Sequence, residues 1–137
     1  MGVARNGDVY VTDRLNHRVQ YFTPNGSFLG KWGTLGSGNA EFERPRGVAV
    51  APGGNVYVAD RFNHRIQYFT STGSFLGKWG SLGSGNGQFK KPPAVAITPN
   101  GAYVYVTDCD NDRVQYFRWS PPAVAPASLG RVKALFR

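Results

Sequence analysis

The chain has 137 residues, of which 41% are hydrophobic and 18% are charged, with 18 glycines and 9 prolines. This length suits one domain, and so many turn-forming residues exclude a fold of long helices. No apolar run approaches the ~18 residues of a membrane span and no signal-peptide core is present, so we expect no membrane partner and assign no compartment. The single cysteine, Cys109, excludes an intramolecular disulfide framework, and the formal charge of +8 raises the question of an anionic ligand.

A repeated segment organises the chain. VYVTD at 9–13 returns as VYVAD at 56–60 and as VYVTD at 104–108, at spacings of 47 and 48 residues. Between residues 9–50 and 56–97, 29 of the 42 aligned positions are identical. A fixed period of this length indicates a repeat architecture.

Each unit is predicted to contain four short strands separated by turn residues. In the second unit these are GVAVA (47–51), NVYVAD (55–60), RIQYFT (65–70) and SFLGKWG (74–80), with the alternation that half-buried strands require. The units cover about 2–33, 47–80 and 94–137 of a single domain spanning 1–137. In the third unit, RVKALF (131–136) is the predicted outer strand after an enlarged loop over 120–128, and a short carboxy-terminal helix is the alternative for this tail.

The second unit resembles the NHL repeat. The resemblance is carried by GVAVAPGGNVYVADRFNHRIQYF (47–69), GSFLGKWG (73–80) and GNGQF (85–89), with matching residues in the first unit. The third unit departs from the pattern at Asp112, where the other two have histidine. The resemblance implies an all-β fold, a β-propeller of four-stranded antiparallel blades with three blades in this chain. It also implies an interaction platform, because NHL propellers act chiefly by binding proteins and in some cases RNA.

Three blades do not close a propeller, whose rings typically contain 4 to 8 blades. Each end would expose the apolar face of a sheet, which soluble monomers seldom tolerate. Because six blades are associated with NHL propellers, we expect two copies of the chain to complete one ring as a homodimer. The alternative is that the sequence is a fragment of a longer gene product.

The loops predicted to share one face of such blades form a candidate ligand-binding rim. Its residues are Arg14, His17, Arg44, Arg46, Arg61, His64, Lys90 and Lys91. The same loops hold seven of the eight acidic residues, so the face is not a clean phosphate-binding stripe. We expect a protein or acidic peptide as the partner, with single-stranded RNA as the alternative and DNA not expected. A merely solvated basic surface is the simpler interpretation.

Three aspartate–arginine pairs recur at the start and end of the loop between the second and third strands. They are Asp13 with Arg18, Asp60 with Arg65, and Asp108 with Arg113. Charged hydrogen bonds of this kind hold a turn in one geometry, so we assign the pairs a structural role. Since Asp112 replaces the histidine of the other loops while Arg113 is kept, the histidines are predicted to be dispensable.

No catalytic, cofactor-binding or metal-binding residues are predicted. No nucleophile, base and orienting group occur together in the sequence, and His17 and His64 converge on a metal only if both point into the channel. Inter-blade packing is the role expected for the repeated aromatic residues Tyr21, Phe28, Trp32, Tyr68, Phe75 and Trp79. The predicted function is therefore a non-enzymatic scaffold, with an RNA-binding module as the alternative and a degenerate propeller lyase or hydrolase as the third.

Overall fold

The backbone of the protein, described here from a computed structural model, is placed for residues 1–120 and 131–135. Within these ranges, the helical segments are three single 3₁₀ turns, and the rest of the regular structure is strand. No helix in the described part of the chain is long and apolar enough to cross a membrane. The strands are β1 (Gly2–Val3), β2 (Val9–Asp13), β3 (Arg18–Phe22), β4 (Phe28–Trp32), β5 (Thr34–Leu35), β6 (Glu41–Phe42), β7 (Val48–Val50), β8 (Val56–Asp60), β9 (Arg65–Phe69), β10 (Phe75–Trp79), β11 (Val95–Ile97), β12 (Tyr103–Asp108), β13 (Arg113–Ser120) and β14 (Arg131–Leu135).

Twelve of these strands form three four-stranded sheets, each antiparallel and ordered as in the sequence. The first sheet is β1 to β4, the second β7 to β10 and the third β11 to β14. The predicted outer strand of the third unit is present, because β14 pairs with β13 from Tyr116 opposite Leu135 to Ser120 opposite Arg131. The predicted enlarged loop over 120–128 lies, apart from Ser120, outside the described residues.

The alternation along the strands sends side chains of the second sheet to two different neighbours. Val56, Val58 and Phe69 belong to a core shared with the first sheet. Tyr57 and Ile66 belong to a core shared with the third sheet. A strand with apolar residues on both faces has no solvent face, and β8 and β9 are accordingly buried throughout.

The loop between the second and third strands of each sheet is a 3₁₀ turn, at Arg14–Asn16, Arg61–Asn63 and Cys109–Asn111. Each turn ends on a residue in the left-handed conformation, namely His17 (φ 53°), His64 (φ 55°) and Asp112 (φ 53°). Aspartate, asparagine and histidine adopt this conformation more readily than most residues. Asp112 therefore preserves the backbone of the turn although it changes the side chain.

Two linkers run from one sheet to the next along the end of the molecule that carries these turns, the first over residues 33–47 and the second over 80–94. In the first, β5 pairs with β6 in parallel, and in the second a single parallel bridge joins Leu82 and Phe89. Phe42 and Phe89 are completely buried between successive sheets. Gly80 lies over Phe89 with φ +108°, and a Cβ there would come within 2.6 Å of the ring, so this crossing requires glycine.

Aromatic residues fill the spaces between sheets, as predicted. Trp32 packs on Phe69 of the second sheet with ring centroids 5.4 Å apart, and Trp79 packs in the same way on Phe117 of the third at 5.5 Å. Phe28 departs from the prediction, since its side chain is 56% exposed on the first sheet.

Candidate functional site

A cluster of four polar residues holds the first linker against the second sheet, and we call it the second socket. It consists of Asp60, Asn63, Arg65 and Gln67. Both carboxylate oxygens of Asp60 are used, because Oδ1 accepts the Glu43 N–H at 2.8 Å and Oδ2 accepts Arg65 Nε at 2.8 Å. Asn63 and Gln67 also donate to Oδ2, at 3.0 and 3.1 Å. A fully buried carboxylate is thereby surrounded by donors, as its desolvation requires.

Arg65 extends this network to the linker backbone. Its Nη1 donates to the Ser37 carbonyl at 2.8 Å, and its Nη2 donates to those of Gly38 and Glu41 at 2.8 and 2.9 Å. Gln67 adds a bond to the Glu41 carbonyl at 2.6 Å. The sequence predicted that Arg65 holds its own turn, but the arginine also joins two repeats.

The third socket repeats this arrangement between the second linker and the third sheet. Its residues are Asp108, Asn111, Arg113 and Gln115, and Arg113 pairs with Asp108 at 2.7 Å. Arg113 donates to the carbonyls of Ser84, Gly85 and Gln88 at distances of 2.8–3.0 Å. The two sockets therefore bind chemically equivalent segments in the same way.

The first socket consists of the equivalent residues Asp13, Asn16, Arg18 and Gln20. Arg18 Nε donates to Asp13 Oδ2 at 2.8 Å, and Asn16 and Gln20 donate to the same carboxylate at 3.1 Å. Within residues 1–120 and 131–135, no linker backbone is bonded to this socket. The side chains of Arg18 and Asp13 are 30% and 25% exposed, against 8% and 0% for Arg65 and Asp60.

The three aspartates differ in the balance between burial and hydrogen bonding. Bonds from Arg18 and Asn16 lower the pKa of Asp13. Burial raises the pKa of Asp60, although the Glu43 N–H and the Asn63 and Arg65 side chains oppose it. Burial also acts on Asp108, but the donors Lys90 N–H, Asn111 and Arg113 outweigh it and lower the pKa.

Each histidine holds a linker through a backbone hydrogen bond, a contact that the sequence did not predict. His17 Nδ1 accepts the backbone N–H of Arg44 at 3.0 Å, and His64 Nδ1 accepts that of Lys91 at 3.0 Å. Both acceptors require a neutral imidazole. Desolvation and then the charge of Lys91 lower the pKa of His64, which favours this form.

Three of the predicted rim cations converge on one aromatic ring. The Arg44 and Arg61 guanidinium carbons lie 5.3 Å from the centroid of Phe62, and Lys91 Nζ lies 5.5 Å from it. These distances allow cation–π attraction. None of the three forms an ion pair within 4.0 Å among the described residues, and the buried Nε of Arg61 has no hydrogen-bond partner there. We call this group the Phe62 cluster.

The remaining rim residues, Arg14, Arg46 and Lys90, are exposed and stay outside the Phe62 cluster. Sequence reasoning missed Phe62 itself, because its counterparts are Leu15 and Asp110 and no repeated pattern marks the position. It also missed Gln67 and Gln115, for which a signal existed: a glutamine recurs between the apolar residues of the third strand in every repeat.

The described residues also form two surface grooves and include residue types that can bind metal ions. They contain no group of three histidine, cysteine, aspartate or glutamate side chains placed to hold a metal ion. A groove of about 560 Å³ on the rim passes Asn16, His17 and Arg18. Another of about 540 Å³, lined by Asp8, Tyr10 and other residues, lies at the opposite end of the strands, away from the sockets and from the Phe62 cluster.

Comparisons with known proteins agree with this architecture. Residues 42–69 match the family model of the NHL repeat, which confirms the resemblance in the sequence. No curated protein sequence matches the chain. Among solved structures, a candidate 6-phosphogluconolactonase from Bacteroides fragilis superposes with a TM-score of 0.71 at 17% identity, over 97% of this chain and 36% of its own.

Two further structures show the same fold. A streptogramin B lyase matches with a TM-score of 0.64 at 14% identity, over 96% of this chain and 38% of its own. Virginiamycin B lyase from Staphylococcus aureus, in a catalytically inactive variant, matches with a TM-score of 0.64 at 17% identity, also over 96% and 38%. The chain thus spans little more than a third of these structures. Residues 42–69 are an NHL repeat within an all-β, propeller-like fold.

Proposed function

We propose that the protein is a non-enzymatic binding scaffold, a three-bladed half of an NHL-type propeller that associates with a second copy through its two open sheets. Each sheet is one blade in this proposal, and the ring of six blades is completed by a two-fold operation. The socket residues then serve the architecture, and the rim of loops and linkers presents the ligand site.

The observation that carries the proposal is the exposure of apolar residues on the two outermost sheets. Val114 of the third sheet is 60% exposed, whereas Ile66, at the equivalent position of the second sheet, is 0% exposed. At the other end, Val3 and Phe28 are each 56% exposed. Apolar side chains exposed on a sheet face that is core elsewhere in the molecule favour an interaction surface there. The exposed face of the third sheet is equivalent to the face of the second sheet that packs on the third, and the exposed face of the first sheet is equivalent to the face of the second that packs on the first. We therefore expect the two exposed faces to fit together.

Measuring the mass in solution tests the proposal. Light scattering and sedimentation should give about 30 kDa, twice the 15.0 kDa of the chain. A stable monomer at concentrations of tens of micromolar would refute the ring of two copies.

The Phe62 cluster favours a second candidate function, the binding of an anionic ligand at the rim. Three cations with no carboxylate partner in the described part of the chain can be neutralised by an acidic peptide, and arginine pairs readily with carboxylate and phosphate. RNA is the alternative ligand, because phosphates meet the same cations and a base can stack on an aromatic ring.

Double variants that each remove two positive charges distinguish binding at the Phe62 cluster from a general effect of net charge. Arg44→Ala/Lys91→Ala should abolish binding of a labelled polyglutamate peptide, whereas Arg5→Ala/Arg118→Ala, which removes two exposed cations elsewhere, should preserve it. RNA binding would appear as affinity for an oligouridylate that falls steeply with salt. An equal loss of peptide binding in both double variants would show that the Phe62 cluster is not the binding site.

A further inference from the structure

The first socket has the composition and internal bonds of the second and third sockets, but not their ligand. In both of the latter, seven hydrogen bonds join the socket to a linker, and those of the second socket involve the Glu43 and Ala40 N–H groups and the carbonyls of Gly36, Ser37, Gly38 and Glu41. The first socket makes none of these bonds with the described residues.

We propose that the first socket, Asp13, Asn16, Arg18 and Gln20, is a docking site for an extended glycine-rich segment of another polypeptide, of the type Leu-Gly-Ser-Gly-Asn-x-(Glu or Gln)-Phe. The inference deepens the proposed function, because it rests on the outer side of the first sheet being a contact surface and names a segment that is recognised there.

The chemistry of the segment follows from the two filled sockets. The socket groups bind backbone atoms of the linker, so they recognise a backbone conformation rather than side chains. Glycine is favoured because a Cβ at Gly38 would come within 2.7 Å of Glu41 Oε1, so the Glu41 side chain, which accepts the Gly38 N–H, would have to move. Phenylalanine is required because Phe42 and Phe89 are fully buried beside the sockets.

The geometry of the first socket is already set for this ligand. Asp13 holds Arg18 through Nε at 2.8 Å, the same atoms and distance as in the Asp60–Arg65 pair. In the second and third sockets, that bond leaves both Nη atoms directed at the linker carbonyls. Preorganised donors of this kind lower the entropic cost of binding.

The linkers of this chain are not available as the ligand. The carbonyls of Ser37 and Gly38 are engaged by Arg65, and those of Ser84 and Gly85 by Arg113. A second copy could offer them only by opening one of its own sockets. A glycine-rich segment of a different repeat-containing chain has no such cost.

A synthetic peptide with the sequence of residues 33–46, carrying a fluorescent label, provides the test. Its anisotropy should report saturable binding to the intact protein. Arg18→Leu and Arg18→Lys should each weaken binding at least tenfold, because lysine keeps the charge but lacks the planar fork that engages several carbonyls. Arg5→Leu is the matched control, since it removes one exposed positive charge at the opposite end of the first sheet and should change binding less than twofold.

Two further measurements keep the test decisive if an Arg18 variant fails to fold. On the unchanged protein, a peptide carrying alanine in place of Phe42 should bind at least tenfold more weakly, and one carrying alanine in place of Gly38 should bind more weakly to a smaller extent. Binding that is absent up to millimolar peptide, or equal for all peptides, overturns the inference. So does self-association that excess peptide dissociates, since a second copy would then be the ligand. If the protein is a dimer but does not bind the peptide, only the docking site at the first socket is refuted. If it is a monomer that binds the peptide through Arg18, only the ring of two copies is refuted.

Discussion

Asp60 shows how one buried carboxylate organises a repeat. It is 0% exposed and receives bonds from a linker amide, an asparagine, an arginine and a glutamine. Removing one member of such a group leaves the others buried without a partner. The resulting loss of stability is larger than the net stability that the intact ion pair contributes. Asp13 occupies the same position in the first repeat without linker contacts among the described residues, so the chain supplies its own control.

Replacing Asp60 is expected to destabilise the protein far more than replacing Asp13. Asp60→Ala should lower the free energy of unfolding by about 3–5 kcal/mol, because Arg65 would remain buried and unpaired. Asp13→Ala should cost about 1 kcal/mol or less, since its partners are exposed or partly exposed and regain water. Urea unfolding followed by tryptophan fluorescence measures both values. Equal losses would show that the sockets do not carry the stability assigned to them.

His64 should make stability depend on pH. Its folded-state pKa lies below the usual value, owing to desolvation and Lys91 and despite Glu43, Asp110 and Asp60, whose charges raise it. As pH falls below about 6.5, the unfolded chain therefore binds more protons, and stability decreases.

His64→Asn removes the titrating group and retains a residue that accepts the left-handed conformation. The unfolding free energy of the unchanged protein should fall relative to this variant between pH 7 and pH 5, by up to about 1 kcal/mol, the contribution of one hydrogen bond. Urea midpoints across this range provide the comparison. Parallel curves for the two proteins would exclude His64 as the source.

At the scale of elements, the linkers depend on glycine where they pass over an aromatic ring. Gly80 combines φ +108° with a close approach to Phe89, while Gly53 has open space where its Cβ would be. Strand positions could be predicted from alternation and turn residues, because these are local properties. The path of the linkers could not, because it is decided by contacts between residues 24–29 positions apart.

Gly80→Ala is expected to lower the free energy of unfolding by about 2–3 kcal/mol, through backbone strain and overlap with the Phe89 ring. Gly53→Ala should change it by no more than about 1 kcal/mol, because neither strain nor overlap arises. Chemical denaturation of the two single variants tests the difference. A neutral Gly80→Ala would mean that the linker can move away from the sheet.

At the scale of the whole molecule, equivalent residues of the three repeats have different environments, because one sheet lies between the other two. Ile66 lies between two sheets and Val114 lies at the end of the series, so the same side of a strand is core in one repeat and surface in another. This exposure underlies the proposed association.

Val114→Lys should therefore reduce self-association without unfolding the chain. A lysine there is solvated in the separated protein but would be buried at an apolar contact, at a cost of several kcal/mol. Sedimentation should show the variant at the mass of one chain, whereas Val114→Thr, of similar shape, should remain associated. Ile66→Lys, at the equivalent buried position, is expected to unfold the protein. If Val114→Lys sediments as the unchanged protein does, the third sheet is not the contact.

The sequence by itself determined the repeats, their four strands, the aspartate–arginine pairs and the aromatic packing. Each of these follows from spacing and alternation repeated about every 47 residues. Only the tertiary structure decided which repeat or linker each of these side chains contacts. Arg65 and His64 reach backbone atoms of linkers 24–28 residues away, and Phe62 gathers cations from two linkers. A repeat pattern records equivalent positions, but contacts between repeats arise only when the sheets are placed side by side.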